Sequence, residues 1–261
     1  MDIKNILVPT DFSTCSEAAV SFAIEFALAT DARLFLMHSV SSTFSIASER
    51  LTERMMNDDR FREIEAQTVT EVGDPGPAIL RQAEEKQADL ILIGNKGSSG
   101  GRRLLGSTAI EVLSKAKIPV LSVPEKSTYA GFQDILFMTD FNNGDVSALE
   151  DILNWATDFN AQLHVLHVFT DDSFKELIKY RGFREIVEER LKDKKISFQR
   201  VFNPSFYDGL LDYMKTRSVS LITLTRYQKN IFRKIMERDH TREVSYEIET
   251  PFMVLNGDQY L

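Results

Sequence analysis

Residues 5–12 read NILVPTDF, and residues 134–141 read DILFMTDF. The two stretches lie 129 residues apart, and the same offset lays LFLMH (34–38) over LHVLH (163–167) and Asp74-Pro75 over Asn203-Pro204. Further along, DLILIG (89–94) falls on LITLTR (221–226) and IPVLSV (118–123) on TPFMVL (250–255), now at an offset of 132. The second copy therefore carries a three-residue insertion between about 204 and 210. Matching blocks in one order are an internal repeat, and a repeat of this length predicts two similar domains, 1–126 and 131–261. The stretch PEKSTYAGF (124–132) between them is short and polar with Pro and Gly, which suits a tight linker. The net charge of −8 divides evenly between the halves.

Within one copy the apolar runs 4–9, 33–40, 88–94 and 118–123 lack alternation and read as buried strands, while 65–73 alternates as a further one. Between them lie helical patterns. Thr14-x-x-Glu17 suits a capping box before a first helix, and Ala19, Phe22, Ala23, Phe26 and Ala27 recur at helical spacing. A charged helix is expected over 46–61, and another over 78–87 with Pro77 at its first position. A last helix over 108–116 is opened by a second capping-box pattern, Thr108-x-x-Glu111. Strands alternating with helices predict an α/β fold: two tandem open, twisted, parallel five-stranded sheets with helices on both faces. Ligands of such sheets bind beyond the carboxyl ends of the strands, where strand order reverses. Pro9, Thr10, Asp11, Ser39 and the loop from Gly94 lie there.

Composition narrows the function classes. With 43% hydrophobic and 27% charged residues the 261-residue chain can bury a core. Its acidity argues against nucleic acid or an anionic membrane surface as partner. A lone cysteine, Cys15, allows no internal disulfide and fits a reducing compartment. The opening MDIKNILVPTDF lacks a signal-peptide layout, and no apolar run approaches the ~18 residues of a membrane helix. A cytoplasmic protein is expected.

The segment 94–108, GNKGSSGGRRLLGST, holds five glycines between a strand and a helix. Glycine lets backbone N–H groups approach an anion, and a helix start favours negative charge. Lys96, Arg102 and Arg103 add cations. The loop is neither a Walker A sequence nor GxGxxG. On pattern alone, an anion site and a plain surface turn are equally open.

Pro-Thr-Asp-Phe-Ser after the first strand, Asp-Leu-Ile-Leu-Ile-Gly, the Gly-x-x-Gly…Gly-Ser loop and Ile-Pro-Val-Leu-Ser-Val together resemble the universal stress protein family. The resemblance covers the whole first copy and, more weakly, the second. It implies the adenine nucleotide alpha hydrolase-like, Rossmann-like layout and an ATP- or ADP-type ligand, with magnesium as a possible companion. The family's nucleotide-binding branch has nine residues between Gly-x-x-Gly and Gly-Ser. Here eight separate Gly97 from Gly106. The resemblance places Pro9, Thr10 and Asp11 near the adenosine and Ser39 beside the adenine. Ile93, Gly94, Lys96, Gly97, Gly106, Ser107 and Thr108 fall at the ribose and phosphates. Asp11 also suits the N-cap of the first helix. The same resemblance implies an intramolecular pseudo-dimer paired through the fifth strands, with a further homodimer possible.

The second copy lacks the loop. Gly94 is matched by Arg226, Lys96 by Gln228, Gly97 by Lys229, Gly106 by Arg238, Ser107 by Asp239 and Thr108 by His240, while Pro9 gives way to Met138 and Asp140 persists. A degenerate second domain is expected. His164 and His167 lie three apart on a strand and so point to opposite faces, which disfavours a metal site. No nucleophile, histidine and acid assemble into a catalytic set. The expected function is one-nucleotide binding in stress response or signalling, not catalysis. The alternatives are a nucleotide-independent interaction scaffold and a slow ATP hydrolase.

Overall fold

A computed structural model describes residues 1–40, 44–95, 106–192, 196–227 and 249–261. The chain divides into two compact units, one of Asp2–Ala130 with Glu247–Pro251, the other of Gly131–Tyr246 with Met1 and Phe252–Leu261.

The first unit is built from β1 (Asn5–Pro9), α1 (Thr14–Thr30), β2 (Arg33–Val40), α2 (Phe44–Met56), β3 (Ala66–Val72), α3 (Pro75–Glu85), β4 (Leu90–Asn95), α4 (Ser107–Lys115) and β5 (Val120–Pro124). Its strands are parallel in the order β3-β2-β1-β4-β5. Leu7 of β1 is paired with Phe35 on one side and Ile91 on the other. Leu7, Leu90, Ile91 and Leu92 are wholly buried, because helices cover both faces of these central strands. α1 supplies much of that cover. Its Phe22 and Phe26 are buried and meet the Tyr129 ring edge-on at 5.2 and 5.4 Å. Burial pushes the Tyr129 phenol up to about 12.

The second unit repeats the pattern with β6 (Asp134–Met138), α5 (Asp145–Asp158), β7 (Gln162–Phe169), α6 (Phe174–Arg190), β8 (Ile196–Phe202), α7 (Phe206–Lys215), β9 (Leu221–Arg226) and β10 (Phe252–Asn256). Its internal order, β10-β9-β6-β7-β8, is the same arrangement read from the other edge.

Several local expectations are corrected. α1 is capped by Ser13, whose hydroxyl accepts from the Ser16 N–H, so Thr14 lies inside the helix and Asp11 is not the cap. α3 starts at Pro75 rather than near Pro77, since the first proline of Asp-Pro-Gly-Pro already has a helical φ and needs no N–H. α4 starts after Gly106 with no side-chain cap, and Glu111 pairs with Lys115 at 2.7 Å instead of reaching back. The expected helix over 46–61 breaks after Met56 and gives way to a 3₁₀ turn at Asp59–Arg62. Asp58 causes the break by capping that turn. The Arg60 guanidinium beside it, helped by Arg54, holds its carboxyl far below the usual range against partial burial.

Candidate nucleotide-binding site

The reversal of strand order in the first unit falls between β1 and β4, each of which leads into a helix on its carboxyl side. The turn after β1 is held tightly. The Thr10 N–H donates to the Met37 carbonyl at 2.7 Å, and the Thr10 hydroxyl accepts from the Phe12 N–H at 3.0 Å. Phe12 takes a left-handed φ of 61°, uncommon for a bulky residue, and its ring lies 4.8 Å from that of His38. His38 in turn sets Nδ1 2.7 Å from the Thr10 carbonyl, an acceptor only, so this nitrogen carries the proton.

The second unit repeats the device. Phe141 has a φ of 60°, its N–H donates to the Thr139 hydroxyl at 2.9 Å, and its ring sits 4.2 Å from that of His167. His167 Nδ1 lies 2.8 Å from the Thr139 carbonyl. The repeat-related histidines are thus braces of the fold. His164 is held separately by Asp134 and Ser197. Among the described residues no group of three or more His, Cys, Asp or Glu side chains could hold a metal ion.

The turn positions Asp11, whose carboxylate accepts from both the N–H and the hydroxyl of Ser13 at 3.0 and 2.5 Å. Partial burial pulls its pKa upward, but these bonds and one from Ser16 outweigh burial and hold the carboxyl below its ordinary value. Asp11 is therefore an anion at neutral pH, exposed to solvent and lining a cavity of about 340 Å³. That volume lies within the ~300–1,000 Å³ of small-molecule sites.

Around this one cavity the fold gathers Pro9, Thr10, Asp11, Ser39, Ile93, Gly94, Gly106, Ser107 and Thr108. Lys96 and Gly97 lie outside the described residues, as do Arg102 and Arg103. Gly94 is sterically required, because a Cβ there would collide with the Cys15 carbonyl of α1. Gly106 has open space around it and, having no side chain, offers no cap to the first N–H groups of α4. The cavity wall also includes Ser13, Cys15, Ser16, Met37, His38, Pro75, Ile79 and Ala109, which sequence reasoning did not single out. Repeat equivalence of His38 with His167 was the available signal for one of them. Cys15 is buried, with Sγ 3.4 Å from a Glu125 carboxylate oxygen.

At the matching place the second unit is filled. The strand register corrects one sequence equivalence: Ile6 pairs with Leu90 and Ile135 with Leu221, so the place of Gly94 is held by the buried Thr225, and Arg226 stands at that of Asn95, half-buried and donating to Asn256 at 3.1 Å. Tyr227 and Tyr260 close over Gly144, where a Cβ would come 2.5 Å from the Tyr227 hydroxyl and 2.7 Å from the Tyr260 Cβ. Tyr260 is tied down by its hydroxyl, which donates to Asp151 at 3.1 Å. Asp145 replaces Ser16 and is buried, accepting from the Thr139 hydroxyl at 2.8 Å and the Asn142 N–H at 3.0 Å. The remaining loop equivalents, Gln228, Lys229, Arg238, Asp239 and His240, lie outside the described residues.

Asp145 gives a pH prediction. Burial raises its pKa despite those hydrogen bonds. The folded state then holds a proton that the unfolded state has released above its ordinary value of ~3.9, so this residue subtracts stability as pH rises through that window. Asp145→Asn is expected to gain stability over the parent at pH 7 and to lose that advantage toward pH 4. Urea melts at both pH values check it, and an equal gap at both would show that the carboxylate is not penalised.

Comparison with known proteins agrees with the geometry. Residues 2–124 match the model of the universal stress protein family. A universal stress protein of Methanocaldococcus jannaschii is 33% identical over 138 residues, covering 46% of this chain and 81% of the relative. Universal stress protein A homolog 2 of Coxiella burnetii is 32% identical over 142 residues, covering 48% and 97%. In fold, the crystal structure of a universal stress protein from Archaeoglobus fulgidus matches 98% of this chain and 100% of its own, with a TM-score of 0.73 at 18% identity. With the repeated Thr-Asp-Phe turn and the glycine-led α4 already in view, these likenesses place the chain in the universal stress protein family.

Proposed function

We propose that the first unit binds one ATP- or ADP-type nucleotide and that the protein acts in the cytoplasm in stress response or nucleotide-dependent signalling. The observation that carries this reading is one cavity that brings opposite chemistries together: the Asp11 carboxylate lines it, and so does the start of α4, where Gly106 offers no side-chain cap. Asp11 can accept from a ribose hydroxyl or an adenine amine. The N–H groups and positive dipole end of a helix start at Ser107 and Thr108 suit phosphate, and Gly106 admits close approach. Ser39 is assigned to the adenine and Ile93 and Gly94 to the ribose and phosphates, all three lining the cavity, while Lys96 and Gly97, outside the described residues, are assigned to the phosphates by family resemblance alone. Magnesium, where present, accompanies the phosphates.

The reading is of binding without efficient turnover. Phosphoryl transfer needs a positioned nucleophile as well as phosphate contacts. Asp11 belongs to the adenosine end, and Glu111 is held in its pair with Lys115. The second unit, with Tyr227 and Tyr260 closing over Gly144, contributes no second site, and the two halves act together as an intramolecular pseudo-dimer.

Mass spectrometry of ligand released from purified protein, followed by calorimetry with ATP, tests this. One nucleotide per chain is expected, with Asp11→Ala weakening it about tenfold, or 1.4 kcal/mol. Two equivalent sites, or no binding by an intact folded protein, would overturn the reading.

A further inference from the structure

At the amino ends of the second unit's strands the structure joins three residues that sequence spacing did not. His164 of β7 is buried, with Nε2 2.9 Å from the Asp134 carboxylate at the start of β6 and Nδ1 2.5 Å from the Ser197 hydroxyl on β8. A carboxylate can only accept, so Nε2 carries the proton, and in the neutral imidazole Nδ1 accepts from Ser197. Acid, base and hydroxyl thus stand in the order of a serine-hydrolase triad, with the two ring nitrogens exchanged.

The fold does not need this trio. Strand register matches Asp134, His164 and Ser197 to Asn5, Phe35 and Gln67 of the first unit, which builds the same sheet without them. A further donor is left over beside the trio. Tyr213 on α7 is 6% exposed, and its buried hydroxyl has no partner among the described residues. Burial, with the nearby charge of Asp134, pushes that phenol up against the pull of Arg217. Buried donors are normally paired, and an unused one next to the carboxylate suits a place that a ligand completes. Access is open as well. β8 is an edge strand, and Ser197 is half-buried. The Asn203 N–H donates to β7, so by alternation the Phe198 N–H points away from β7, out of the edge. It is the main-chain donor next to the hydroxyl, suited to an oxyanion.

We infer that the second unit carries an esterase site, with Ser197 as nucleophile and His164 as base. Ser197 Oγ attacks the carbonyl carbon of a carboxylic ester, and its proton passes to Nδ1. The oxyanion collapses, the ester C–O bond breaks, and Nδ1 returns the proton to the leaving alcohol. Water then cleaves the acyl–serine bond by the same route, releasing the acid and restoring the hydroxyl. Asp134 is a positioning residue that holds the imidazole and stabilises its charge. A single main-chain donor gives modest oxyanion support, which favours esters over the more resistant amides.

The full chain, treated with p-nitrophenyl acetate and with a fluorophosphonate probe, provides the test. A burst of nitrophenol is expected, with fluorophosphonate labelling confined to Ser197 by peptide mass spectrometry. His164→Phe should lower hydrolysis about a hundredfold, the low end of what a positioned general base contributes, and Ser197→Ala at least as far. Asp134→Asn should lower kcat and leave KM unchanged, because it acts through His164 alone. His164→Phe and Asp134→Asn copy the first unit, so both should keep the fold. None of these results depends on nucleotide binding by the first unit. Hydrolysis indifferent to Ser197→Ala, or a folded parent whose Ser197 stays unlabelled, would overturn the inference.

Discussion

Gly94→Val is expected to abolish nucleotide binding and to destabilise the first unit by about 3 kcal/mol, near the upper end for overpacking a filled site. Even the first added carbon collides with the Cys15 carbonyl, a main-chain atom in the opening turn of α1. It cannot swing aside as a side chain would. Either β4 or α1 must move, and both carry cavity residues. At 2–4 °C per kcal/mol for chains of about this size, the transition of the first unit should fall by roughly 6–12 °C. Gly106→Ala is the matched control, since its added methyl meets open space and its φ is the ordinary −67°. It should leave the melting transition in place. A Gly94→Val protein with parental melting temperature would mean that α1 and β4 are not packed as described.

Ser107→Asp should separate binding from stability. Ser107 is exposed at the first position of α4. A carboxylate there interacts favourably with the helix dipole, by about 0.3–1 kcal/mol. The same carboxylate stands where the nucleotide's phosphates are placed and repels them. Affinity for ATP is expected to fall about a hundredfold or more, some 2.7 kcal/mol, while the melting temperature holds or rises. Adenosine, which lacks phosphate, should bind the variant as it binds the parent. ATP affinity that survives the substitution would remove α4 from the phosphate end. The change also copies the second half, which carries Asp239 at the corresponding place in its sequence.

How far the sequence reaches depends on the kind of physics involved. Buried parallel strands are legible because helices on both faces force unbroken apolar runs, and the strand read at 33–40 has those bounds in the structure. Helix starts are less legible, since several residues in a row can cap or open a helix and the choice is made by neighbours. Ser13 prevails over Thr14 because its hydroxyl also serves Asp11, and Pro75 prevails over Pro77 because the helix begins as soon as φ permits. At the site, the turn after β1 and the glycines around α4 were readable as motif. Ser16 and Ile79 were not, because helix periodicity marks them as core or surface without saying that they face a cavity. The filling of the second half by Tyr227 and Tyr260 was hidden for another reason. Those residues are far apart in sequence, and only the closing 3₁₀ turn at Gly257–Tyr260 brings them together over Gly144.

That filled second half makes the molecule its own experimental reference. Both halves share strand order, brace and turn, so solvent, temperature and salt act on two nearly equivalent frameworks within each chain. Hydrogen-exchange measurements with and without nucleotide can be read as the difference between one half and the other. Ligand protection confined to peptides from 2–130 reports occupancy, and a change common to both halves reports conditions.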